Sequence, residues 1–95
     1  MKLITAVVRP YKLDELRKAI AELGVQGVTV TEVHEAEFGP RLKLEIAVDD
    51  GVAEPVFEAI SNISRTGRIG DGRIVIGTLE QAIRIRTGET GTAAT

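Results

Sequence analysis

Cysteine and tryptophan are absent from this 95-residue chain, and the aromatic residues are only Tyr11, Phe38 and Phe57. Without thiols there is no disulfide framework, no thiolate zinc site and no cysteine catalysis. With so few rings the core must be aliphatic. A single histidine, His34, leaves no second imidazole to complete a metal site of the common kinds. Ser61 and Ser64 lie at helical spacing with no histidine nearby, so neither reads as a nucleophile. No apolar run approaches the length that spans a bilayer. The opening stretch Met1–Val8 ends at Arg9-Pro10, too short for a secretory core, so a cytoplasmic location without membrane insertion is expected. A net charge of −2 argues against a general nucleic-acid binder, whose footprint is strongly basic.

What is present is 43% hydrophobic residues, enough for one small core and one domain. Leu3 to Val8 reads as a strand stopped by Pro10. Leu13, Leu16, Ile20 and Leu23 recur at helical spacing, with Gly24 as the stop. Val28 to Val33 is a second strand, and Leu42, Leu44, Ile46 and Val48 alternate along a third. A second helix follows with Val52, Val56, Ile60 and Ile63 inward; Asp50 is the expected N-cap, and Pro55 should delay or distort its start. Arg73 to Leu79 is a fourth strand, and Glu80-Gln81-Ala82 turns into a basic strand at Ile83–Glu89. Thr90 to Thr95 is read as a frayed tail. The order βαββαβ matches the ferredoxin-like α+β fold, an antiparallel sheet with two helices on one face. The uncovered face of so small a domain predicts self-association.

Two segments carry the chemistry. Thr66-Gly-Arg-Ile-Gly-Asp-Gly-Arg-Ile-Val-Ile76 crowds three glycines, two arginines and an aspartate into one turn before a strand. Such a turn can line up N–H groups as a concave anion nest, with Arg68 and Arg73 adding charge. In Ile83-Arg84-Ile85-Arg86-Thr87-Gly88-Glu89, strand alternation places Arg84 and Arg86 on one face, two guanidinium forks suited to a polyphosphate. The turn is no dinucleotide fingerprint, since a strand follows where a helix should begin, and it lacks the Gly-Lys-Ser/Thr of a Walker loop. No positioned base or water activator accompanies it, so binding without turnover is expected, with no catalytic residue.

These two segments, with Arg9-Pro10-Tyr11-Lys12-Leu13-Asp14-Glu15 and Thr29-Val30-Thr31-Glu32-Val33, resemble the PII signal-transduction family of nitrogen regulators from Met1 to about Gly91. The resemblance implies a homotrimer that binds ATP or ADP in clefts between subunits and regulates a partner protein, which the sequence does not identify. Gly70, Asp71, Gly72 and Arg73 match the family's phosphate turn, with Arg68 beside them. Arg84 and Arg86, flanking Ile85, match its arginine pair on the neighbouring subunit. Thr29, Glu45 and the backbone around Ala47 match the adenine–ribose pocket. Val75 stands where the family's turn usually has an aromatic.

The larger departure lies between Val33 and Leu42. The family carries there a long mobile T-loop with a modified tyrosine and a glutamine that serves 2-oxoglutarate and magnesium. This chain passes through His34-Glu35-Ala36-Glu37 directly to Phe38-Gly39-Pro40-Arg41, so residues 34–40 are expected to be a short hairpin in a single domain of residues 1–91, before a flexible tail at 92–95. Arg41 stands for a lysine that helps hold the 2-oxoglutarate carboxylate. Sensing of 2-oxoglutarate and magnesium is expected to be impaired or absent. Two alternatives stand beside this reading: a metal- or stress-linked trimeric interaction protein using His34, Glu35 and Glu37, and an ordinary PII chain shortened by engineering. A solvated hairpin tip accounts more simply for the His34 cluster, because neighbouring residues of a strand face opposite ways, so no metal ligand is assigned.

Overall fold

Alternation of apolar residues builds the framework. The computed structural model describes residues 1–95: β1 (Lys2–Val8), α1 (Leu13–Glu22), β2 (Val28–Glu35), β3 (Gly39–Val48), α2 (Asp50–Ser64) and β4 (Gly72–Thr78). The four strands form one antiparallel sheet in the order β2-β3-β1-β4. This is the ferredoxin-like βαββαβ arrangement expected from the pattern. Paired residues of antiparallel strands share a face, so the register Ile4↔Ile46, Ala6↔Leu44 and Val8↔Leu42 stacks one apolar surface. Leu16 and Ile20 of α1 and Ala53, Val56 and Ile60 of α2 close over it. That cluster contains no aromatic side chain.

Three local expectations need correction. Asp49, not Asp50, caps α2, accepting a hydrogen bond from Gly51 N–H at 3.3 Å. Its extended backbone (φ −65°, ψ 151°) gives it the cap conformation, whereas Asp50 is already helical. Pro55 does not delay the helix, which runs unbroken from Asp50 and leaves the Gly51 carbonyl without its usual i+4 donor. Leu23 lies just past α1 and is exposed rather than inward.

The basic segment also departs from expectation. Ile83–Glu89 is not a strand. It folds into a turn in which Arg84 N–H donates to Glu89 O at 2.8 Å and Gly88 N–H to Arg84 O at 2.7 Å. A lone bridge pairs Ile83 with Thr90. Gly88 takes φ +75°, and Thr87 Oγ1 donates to the Glu89 carboxylate at 2.9 Å. These local bonds compete with extended pairing and win. Residues Gly91–Ala94 form a 3-10 turn, with Thr92 Oγ1 donating to the Asp49 carboxylate at 3.3 Å.

Candidate functional site

The glycine turn bends where its backbone requires glycine. Gly72 sits at φ +112°, and a Cβ there would fall 1.9 Å from the Val7 carbonyl oxygen, so no side chain fits. Gly70, at φ +94°, has the Phe38 ring against it, 2.9 Å from where a Cβ would lie. The N–H groups at the start of the turn do point inward, but the anion they hold is the chain's own. Asp71 accepts from Thr66 N–H at 2.7 Å, from Gly67 N–H at 3.0 Å and from the Thr66 hydroxyl. Arg9 completes the cluster, donating from Nε to Asp71 at 3.3 Å and from Nη2 to Ile69 O at 3.2 Å. The Thr66 hydroxyl first, then the Thr66 N–H, hold the Asp71 carboxyl far below the usual carboxylate range. Two donors of the expected nest are therefore satisfied internally. What the turn leaves for a ligand is its outer rim and the exposed Arg68 and Arg73.

The β2–β3 connection is a three-residue hairpin, with Glu35 paired to Gly39 and Gly39 at φ +75°. It extends past the end of β1, since β1 stops at Val8 opposite Leu42. The hairpin arm leans on the glycine turn. Arg41, buried to 9% exposure, donates from Nη1 to Phe38 O and Pro40 O, each at 2.9 Å, and from Nη2 to Gly70 O at 3.3 Å. Arg73 donates to the Glu35 carboxylate at 2.8 Å. Arg9 as a partner of Asp71, Phe38 as the cover of Gly70, and Glu35 as the partner of Arg73 were all invisible to the sequence reading. Each joins segments far apart in the chain, and only the Thr66–Asp71 spacing offered a local signal, that of a side chain bonding nearby backbone.

The remaining site residues fall into two groups. Thr29 and Glu45 are directly paired across β2 and β3, on the sheet face opposite the helices, and Ala47 lies two residues further along that face. Ala47 also lines a cleft of 470 Å³ together with Arg84, Asp49 and the Gly24–Gly27 segment. Arg86 and Ile85 project from the turn beside it, Ile85 at 95% exposure. The Gly70–Arg73 turn is elsewhere. Gly72 pairs with Val8 at one end of β1, whereas Thr78 pairs with Lys2 at the other, and Arg84 follows beyond Thr78. A strand of this length separates the two basic groups by roughly 20 Å. Arg68, Arg73, Arg84 and Arg86 do not converge within one chain. No group of three His, Asp or Glu side chains comes together around His34 or elsewhere, and Glu35 is engaged by Arg73.

The ferredoxin-like domain thus carries a glycine turn at one end of its sheet and an arginine turn at the other. The model of the family "Nitrogen regulatory protein P-II" matches residues 1–89, and the chain belongs to that family. It is 44% identical over 108 aligned positions to the nitrogen regulatory protein P-II of Rhizobium meliloti (strain 1021), with 96% of each chain covered. The P-II protein of Rhodospirillum rubrum is 42% identical at the same coverage. Nitrogen regulatory protein GlnK of Escherichia coli (strain K12) is 37% identical, with 99% of each chain covered. No helix is long and apolar enough to cross a membrane.

Proposed function

We propose that the chain is a PII-type signalling protein that binds ATP or ADP between copies of itself and transmits the nucleotide state to a partner protein. The observation that carries the interfacial site is the separation of the two basic groups. Arg73 and the glycine turn lie at one end of the sheet, and Arg84 and Arg86 at the other. A polyphosphate touches both only if the second group comes from a neighbouring copy. The open part of the sheet face supplies the means, with the partly exposed Leu3 and Thr5 of β1 and the half-exposed Val75 of β4 on the side away from the helices. A homotrimer built on these faces is the assembly we infer.

Loss of the long effector loop is the second part of the proposal. Alignments of 108 positions exceed the chain's 95 residues, so the relatives have positions for which this chain has no counterpart. The three-residue hairpin at Ala36–Phe38 is where a loop between β2 and β3 would stand. Arg41 is tied to three carbonyl oxygens, which leaves it poorly placed to receive a 2-oxoglutarate carboxylate. Output then passes through the glycine turn, the arginine turn or the surface of the assembly.

The test is calorimetry on the intact protein with ATP and ADP. Arg84→Ala or Arg86→Ala should each weaken ATP by about 1.5–3 kcal/mol, the range of a charge-assisted hydrogen bond. Adding 2-oxoglutarate and magnesium should change ATP affinity by less than about tenfold, or 1.4 kcal/mol of coupling. Unchanged affinity in both variants would remove the site from the arginine turn, and a larger gain would show an intact effector site.

A further inference from the structure

The geometry points to Glu35 as an internal counter-ion that sets how strongly the glycine turn takes additional phosphates. This inference rests on the nucleotide reading above. Its starting point is a contact that a flat sheet would not allow. β2 and β4 are the two edges of the sheet, three strand spacings or roughly 14 Å apart, yet Glu35 of β2 meets Arg73 of β4 at 2.8 Å. The contact closes because the hairpin arm runs past the end of β1 and leans across it.

Two further contacts hold the arm there, so the carboxylate does not arrive by chance. The Phe38 ring lies against Gly70, and buried Arg41 bonds the Gly70 carbonyl together with two carbonyls of the arm itself. The arm is thereby fastened to the same turn whose next residues are Asp71, Gly72 and Arg73. Asp71 is already spent on Thr66, Gly67 and Arg9. Glu35 is therefore the carboxylate that competes with a ligand for Arg73.

A phosphate bound by Arg73 must either displace Glu35 or sit beside its charge. The cost is electrostatic and grows with the negative charge brought to the turn. Arg73 is 64% exposed, so the effect is moderate, that of a solvent-screened pair. Glu35 thus biases the site toward the less charged nucleotide, and a ligand that does take Arg73 frees one side of the hairpin arm. A glutamine at this position keeps the shape and a hydrogen bond but removes the charge.

The experiment compares the intact protein with its Glu35→Gln variant by calorimetry, using ATP, ADP and AMP at low salt, with circular dichroism to verify the fold. The expected result is an ATP affinity about two- to fivefold higher in Glu35→Gln, with a smaller gain for ADP and the smallest for AMP, all shrinking in 0.5 M salt. Equal affinities in the two proteins, or a gain of the same size for all three nucleotides, would overturn the role of Glu35 while leaving the nucleotide site in place. Absence of nucleotide binding in both proteins would overturn the nucleotide reading, and this inference with it.

Discussion

At the scale of single residues, the glycine turn is a structure that closes on itself before it offers anything to a ligand. Gly72 has no room for a methyl group beside the Val7 carbonyl. Gly72→Ala must move β1 against β4 or abandon its φ of +112°, and should lower the unfolding free energy by about 2–4 kcal/mol in urea titrations. Gly77, in the same strand but with open space around it, is the control and should tolerate alanine. Asp71 makes the same point through pH. Its hydrogen bonds to Thr66, Gly67 and Arg9 depress its folded pKa below the ordinary aspartate value. A carboxylate with a depressed folded pKa contributes stability that is complete above its unfolded pKa of about 3.9 and is lost as pH falls below that value. The urea midpoint should therefore drop more steeply between pH 5 and pH 2 in the native protein than in Asp71→Asn. Equal slopes would assign the acid sensitivity to other groups.

At the scale of elements, the sequence was most legible where one rule acted alone. The alternation from Leu42 to Val48 specified β3 and its buried face, and the helical spacing of Leu16 and Ile20 specified the inner side of α1. The β-branched run after Arg73 specified β4. Legibility failed where local rules compete. Ile83–Glu89 has the alternation of a strand, but Gly88 and Thr87 turn it back on itself. Asp49 and Asp50 are chemically equivalent caps, and only backbone conformation separates them. The attachment of the hairpin arm to the glycine turn was not legible in the sequence. That attachment depends on Arg41 meeting Gly70, 29 residues away. Arg41→Met should cost about 2 kcal/mol of stability through the lost carbonyl bonds. It should also speed hydrogen exchange at residues 67–72 more than in α2, if the arm is what fastens the turn.

At the scale of the whole molecule, the separation of the basic groups is what the proposed function is built on. On the proposed function, each chain carries the two halves of a polyphosphate site at opposite ends of its sheet, and neither half is complete alone. In the proposed assembly unlike ends meet, which would make nucleotide occupancy and the geometry of the assembly one linked equilibrium. This makes complementation the most direct measurement of the account. Arg73→Ala and the double variant Arg84→Ala/Arg86→Ala should each form assemblies that bind ATP weakly. When the two are unfolded together and refolded as mixed assemblies, some interfaces pair an intact glycine turn with an intact arginine turn. Calorimetry on the mixture should then recover a class of sites with the native affinity. A mixture that binds no better than its two parents, or a native protein that binds ATP one-to-one as a stable monomer in light scattering, would contradict the account.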